Sequence, residues 1–208
     1  MVYRMIFNQT AYFGRGAIKE IPAVAKQHGF TKAFIVTDPV LLETGTAEKV
    51  TKVLDEAGLP YEVFSNVKPN PPVECIKDGV AKFAESGADF LIGLGGGSPQ
   101  DTCKGIGIIT ANPEFADVLS LEGVADTKNP SVPIFGVPTT AGTASETTIN
   151  YVVTEYGVAK LRQRTVVDIV VTFDFHRCGV ALTRVTRQRF VIRPVFFRLF
   201  QGRRGNLH

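Results

Sequence analysis

The sequence predicts an α/β fold, a Rossmann-like parallel sheet with flanking helices. Three observations carry that prediction. Several short apolar runs are continuous rather than alternating, as strands buried on both faces must be. Between them lie stretches with helical apolar spacing that stop at a glycine. Strand and helix patterns then succeed one another along the chain, which implies βαβ units and a mostly parallel sheet.

Each element follows from its residues. Ile18, Ile21 and Ala25 share one face of a first helix, and Gly29 is placed to end it. Ala33-Phe34-Ile35-Val36 is the first buried strand, reaching Thr37. Val50, Val53, Leu54 and Ala57 mark a second helix before Gly58. Pro69-Asn70-Pro71-Pro72 stiffens the next connection, and Val73, Ile76, Val80 and Phe83 step by helical intervals before Gly87. Phe90-Leu91-Ile92 begins a second buried strand that runs to Leu94. A helix is expected to open at Pro99, a residue favoured at the first helical position, and to continue through Cys103 and Ile106. Val132 to Val137 is a third apolar run, which Pro133 restricts to a strand end or a sheet edge. Val166 to Val171 has a strand's composition, but from Arg184 onward Arg and Phe alternate without period, cap or turn chemistry.

Composition bounds the class. The 208 residues are 44% hydrophobic and 21% charged, with no Trp, which suits a globular domain with a real core. Disorder, collagen and coiled coil have other compositions. No apolar run approaches the roughly 18 residues of a membrane helix. Met1 to Thr10 lacks the basic and apolar regions of a secretory signal. Cys75, Cys103 and Cys178 show no CxxC spacing, so neither a disulfide framework nor a zinc site is expected, and the expected compartment is the cytoplasm. The net charge of +3 is unevenly spread. Residues 1–150 carry 10 Lys and 2 Arg against 17 Asp and Glu, a net −5. Residues 151–208 carry 1 Lys and 10 Arg against 3 acids, a net +8.

Ligands on parallel sheets bind in the loops after the strands. The first such loop is Gly95-Gly96-Gly97-Ser98-Pro99-Gln100-Asp101. Three glycines let backbone N–H groups approach an anion, and a helix N-terminus adds partial positive charge, so a pyrophosphate fits. The competing reading is a tight turn with no ligand. The loop lacks the GK[ST] ending of a P-loop and the last glycine of the dinucleotide fingerprint. Gly14-Arg15-Gly16 reads as a turn. Asp38 closes the first strand, where a carboxylate can accept from a ribose and repel a 2′-phosphate; a helix cap before Pro39 accounts for it equally. Pro138-Thr139-Thr140-Ala141-Gly142-Thr143-Ala144-Ser145-Glu146 gathers hydroxyls that can hold phosphate and sugar oxygens, while Thr143 and Glu146 could instead form a capping box at a helix start. Asn150 follows and is within reach of the same crevice on sequence distance. Of His28, His176 and His208, none has a ligand-spaced partner; His28 suits the C-terminal dipole of the first helix.

Taken together, these motifs resemble the iron-containing (group III) alcohol dehydrogenases. The resemblance rests on Phe13-Gly14-Arg15-Gly16, Thr37-Asp38, Lys68-Pro69-Asn70-Pro71, the stretch Gly95 to Lys104, Asn112 to Asp117, and Pro138 to Thr143, and covers about residues 1–155. It implies an NAD-binding α/β domain over 1–155, acting by hydride transfer on a small alcohol or aldehyde. Gly96, Gly97, Ser98 and Asp101 would hold the pyrophosphate, Asp38 the adenosine ribose, and Asn70 would lie near the adenine. Thr139, Thr140, Thr143 and Asn150 would line the phosphate and nicotinamide path. Arg4 to Asn8 would pair across a homodimer.

The family continues into an all-helical domain whose Asp and three His hold Fe²⁺. Neither His176 nor His208 sits in that domain's Asp-Ala-x-x-His-Ala context, so no iron ligand transfers. The helical domain is expected to be absent. Residues 156–208 form a divergent basic tail whose switch from Lys to Arg fits a shifted reading frame. A nucleic-acid arm would use the same arginines, but no recognised module accompanies them, and nucleic acid is not the expected partner.

Overall fold

The computed structural model describes residues 10–121, 125–140, 143, 145 and 149–154. The expected dimer strand at Arg4–Asn8 and the tail after residue 155 lie outside them. Six strands form one sheet: β1 (Thr10–Phe13), β2 (Ala33–Val36), β3 (Tyr61–Phe64), β4 (Phe90–Gly95), β5 (Ile134–Pro138) and β6 (Tyr151–Thr154). Their order is β1-β6-β5-β4-β2-β3, and every pairing is parallel. Five α-helices accompany them: α1 (Glu20–Gln27), α2 (Pro39–Glu43), α3 (Thr46–Glu56), α4 (Val73–Ser86) and α5 (Gly97–Ala111).

Alternation along β2 explains its unbroken apolar run. Ala33 and Ile35 enter a core shared with Ile21, Val24, Val50 and Leu54 of α1 and α3. Phe34 and Val36 point the other way, to Phe83 of α4 and to Cys103 and Ile106 of α5. Helices therefore cover both faces, and a strand between them has no polar side to show. The glycines expected to end helices, Gly29, Gly58 and Gly87, all have positive φ, the left-handed conformation that stops an α-helix.

Two outcomes differ from the sequence reading. The strands β1, β3 and β6 and the short α2 were not anticipated. At β3 the cause is a four-residue edge strand whose Glu62 faces solvent, too little pattern to register. The helix expected to open at Pro99 opens at Gly97, because Gly96 already serves as its N-cap. Of the two places expected for Pro133 the structure shows the strand end: Pro133 lies just ahead of β5, which is interior, between β4 and β6. Pro133 supplies only a carbonyl there, accepting from Leu91 N–H at 2.9 Å, so its missing N–H costs no ladder bond. Of the helix start expected at Thr143 to Glu146, Ser145 lies in 3-10 helical conformation and Glu146 falls outside the described residues.

The chain turns outward from β2 to β3 and then crosses back, through α4, to place β4 on the other side of β2. The two connections leaving β2 and β4 thus diverge to opposite faces. The crevice opened at the C-terminal ends of those strands is where open α/β sheets take ligands.

Candidate nucleotide-binding crevice

The floor of the crevice is the turn from β4 into α5. Gly95 holds φ +142°, a conformation L side chains rarely adopt, and its carbonyl accepts from Thr139 N–H at 3.0 Å. That bond ties the glycine loop to the segment after β5. A Cβ on Gly95 would meet Pro99 Cγ at 2.6 Å and Leu41 Cδ1 at 3.2 Å. A Cβ on Gly96 would stand 2.8 Å from Thr140 Oγ1, and one on Gly97 would stand 3.3 Å from Ser145 Oγ. Gly95 needs glycine on both backbone and packing grounds, while at Gly96 and Gly97 a side chain would crowd the Thr140 and Ser145 hydroxyls.

The N-cap of α5 is Gly96, which has no side chain to cap with, and the first turn contains no acidic residue. A helix of 15 residues thus directs its N-terminal partial charge and amides toward the crevice. The turn is held from beneath by Gln100, which is fully buried and donates from Nε2 to Gly93 O at 2.7 Å. Its amide lies between Gly93 and Gly136, which face each other in the register of β4 and β5; side chains at either would collide with it. Cys103 packs below, where burial pushes its thiol far above the ordinary range, so it acts as an apolar filler rather than a nucleophile.

The predicted site residues divide. Asp38, Gly96, Gly97, Ser98, Thr139, Thr140 and Thr143 gather at the C-terminal ends of β2, β4 and β5. Asp38 caps α2, accepting from Leu41 N–H at 3.0 Å, and Leu41 packs on Gly95, so the Asp38 loop rests on the glycine loop. The ribose and helix-cap readings of Asp38 are thus compatible, since the cap uses Oδ1. Asn70 lies on the exposed connection after β3 with φ +50°; it is the sole non-glycine with positive φ among the described residues. Asp101 is one helical turn inside α5, paired with Lys104 Nζ at 3.2 Å, both side chains largely buried.

Asn150 stands apart from this group. Its Oδ1 accepts from Ile134 N–H at 3.1 Å and its carbonyl accepts from Thr10 N–H at 3.2 Å. Both contacts lie at the N-terminal end of the sheet, the length of β5 away from the glycine loop. Asn150 immediately precedes β6, whose Tyr151 is registered with Phe135 near the start of β5. Two residues were missed. Gln100 is betrayed only by the registered glycines Gly93 and Gly136, a pairing invisible before the strands are aligned. Ser145 belongs to the hydroxyl cluster but was not distinguished within it.

The profile of the iron-containing alcohol dehydrogenases matches residues 8–171. The chain belongs to this family. Lactaldehyde reductase of Escherichia coli (strain K12) is 56% identical over 155 residues, 74% of this chain and 41% of the relative. NAD-dependent methanol dehydrogenase of Bacillus methanolicus is 42% identical over 142 residues, 68% of this chain and 37% of the relative. The crystal structure of a 1,3-propanediol oxidoreductase superposes with a TM-score of 0.69 at 30% identity, covering 74% of this chain and 46% of that one. The chain thus spans less than half the length of these iron-containing dehydrogenase relatives, and the profile match runs past residue 155. Among the described residues no group of three His, Cys, Asp or Glu side chains could hold a metal ion, so none fits the iron that the family's name implies. No described helix is long and apolar enough to cross a membrane.

Proposed function

We propose that residues 1–155 form the dinucleotide half of an NAD-dependent oxidoreductase. Its reaction is the interconversion of lactaldehyde and 1,2-propanediol, or of similar short alcohols and aldehydes, by hydride transfer. The observation that carries this reading is the N-terminus of α5, capped by Gly96 within a run of three glycines, with Thr140 Oγ1 2.8 Å from where a Cβ on Gly96 would stand. An extended anion can lie against such a backbone, and family membership supports reading that anion as a dinucleotide diphosphate.

The residues take roles by chemistry. Amides at Gly96, Gly97 and Ser98 face the diphosphate, and Thr139, Thr140 and Thr143 supply hydroxyls along the phosphate and nicotinamide path. Asp38 accepts from the adenosine ribose through the oxygen its cap leaves free, and Asn70 flanks the adenine. Asp101 contributes differently from a direct ligand. A carboxylate and a diphosphate are both acceptors, so neither can hydrogen-bond the other; Lys104 neutralises Asp101 and leaves the helix dipole unopposed. Bound NAD supplies the hydride, and these residues supply orientation. Pairing of two copies through Arg4–Asn8 belongs to the same proposal.

A second reading, an NAD-binding unit without turnover, is favoured by the lack of any metal-holding group among the described residues. Binding and turnover separate the two. Titrating the 208-residue chain with NADH and following the nucleotide's fluorescence is direct, since the protein has no Trp. NADH should bind and NADPH should bind at least about tenfold more weakly, one close charge repulsion being worth about 1.4 kcal/mol or more. Absence of NADH binding would overturn both readings; lactaldehyde-dependent NADH oxidation would exclude the second.

Asp38→Asn tests the ribose role without disturbing the fold. Asn caps a helix about as well as Asp, so the melting temperature should stay within about 2 °C of wild type. The NADH preference over NADPH should narrow to about threefold or less as the repelling charge goes. An unchanged preference would remove Asp38 from the ribose.

A further inference from the structure

Ser145 is 3% exposed, and its hydroxyl has no hydrogen-bond partner among the described residues. Its backbone N–H is engaged, donating to Thr143 Oγ1 at 3.3 Å, so the residue is held in place by its main chain while Oγ is left unused. That oxygen stands 3.3 Å from where a Cβ on Gly97 would be, over the first residue of α5. A hydroxyl beside a helix N-terminus ordinarily caps it. This one does not, and the N-cap residue itself is Gly96, which has no side chain. Folding therefore buries a donor and leaves it unsatisfied, which is disfavoured unless something else uses it.

We infer that Ser145 is a nucleotide-binding residue whose Oγ–H donates to a diphosphate oxygen seated over Gly97. The inference rests on the dinucleotide reading above. A diphosphate oxygen is an acceptor only, and the hydroxyl has its proton free to give. The α5 dipole favours negative charge at the same point. Hydrogen bonds to charged groups are the stronger kind, so a single donor matters to affinity.

The test uses the full 208-residue chain and three probes: NADH, ADP and adenosine. Ser145→Ala should weaken NADH and ADP by about tenfold, the size expected for one hydrogen bond to a charged acceptor. Adenosine, which has no phosphate, should bind Ser145→Ala as it binds wild type. The melting temperature should be equal or higher, because the alanine removes a buried group that had no partner. A structural hydroxyl predicts the opposite pattern: a lower melting temperature or failure to fold, with adenosine and ADP weakened alike, and either result overturns the inference. Unchanged ADP affinity in Ser145→Ala overturns it too, leaving a hydroxyl satisfied by water alone. Should wild type bind neither NADH nor ADP, the dinucleotide reading falls first. Should wild type bind both and Ser145→Ala match it, only the role of Ser145 falls.

Discussion

Gly95→Ala is expected to destabilise the protein by about 3 kcal/mol or more and to abolish NADH binding in whatever still folds. Two independent costs meet at this position. The backbone has φ +142°, and holding an L-residue in such a region costs about 1–3 kcal/mol. The new Cβ would also lie 2.6 Å from Pro99 Cγ and 3.2 Å from Leu41 Cδ1, and overpacking adds about 1–3 kcal/mol. Neither neighbour can yield cheaply: Pro99 is a rigid ring in the first turn of α5, and Leu41 is held through its N–H bond to Asp38. Relief would have to come from rotating the turn, which would break the Gly95 carbonyl bond to Thr139 and open the crevice. Urea unfolding followed by circular dichroism measures the stability term, and NADH titration below the transition measures the other. Gly14→Ala is the comparison, with a similar φ of +132° but no atom within 4 Å of its Cβ, so it should show the backbone term alone. If the two variants lose equal stability, the close packing over Gly95 contributes nothing.

That comparison also shows what could be read in advance. Three consecutive glycines after an apolar run announced a close backbone approach, and the place of the turn was legible. Which atoms do the approaching was not. Thr140 and Ser145 lie more than forty residues beyond the glycines, and only the parallel pairing of β4 with β5 brings them over the loop. The central strands β2 and β4 were visible because burial on both faces demands unbroken apolar sequence. β1, β3 and β6 are four-residue strands rich in β-branched and aromatic residues, but they do not show the unbroken apolar character that marked β2 and β4. Asn150 illustrates the same limit. Sequence distance from Thr143 suggested one crevice, but the contacts Asn150 makes are with Ile134 and Thr10, at the starts of β5 and β1. Distance along a chain bounds separation from above and says nothing about direction.

Phe135→Ala should cost about 3–5 kcal/mol, the usual range for deleting a fully buried Phe. The position is worse than most because Phe135 joins three aromatic contacts. It stacks on Tyr151 with centroids 4.5 Å apart, and meets Phe90 at 5.4 Å and Phe30 at 6.5 Å, edge to face in both cases. Such pairs add about 0.5–1.5 kcal/mol beyond burial. The stack matters more because β5 and β6 are registered at only two residue pairs, Phe135 with Tyr151 and Gly136 with Val152. β6 in turn carries β1, so the truncation weakens the attachment of a third of the sheet's strands. Tyr151 also binds His28 Nε2 through its hydroxyl at 2.9 Å, which ties the end of α1 to the same cluster. The crevice, however, is fastened separately, by Thr139 N–H to Gly95 O and by Gln100 to Gly93 O. Phe135 lies near the start of β5 and Pro138 at its end, three residues or roughly 10 Å of extended strand apart, about the distance at which substitutions cease to couple. Under conditions where Phe135→Ala remains folded, its NADH affinity should therefore stay within about threefold of wild type. A variant that is still folded by circular dichroism yet has lost NADH binding would show that the two ends of the sheet are coupled. The crevice could then not be treated as a unit fixed by β4, β5 and α5 alone.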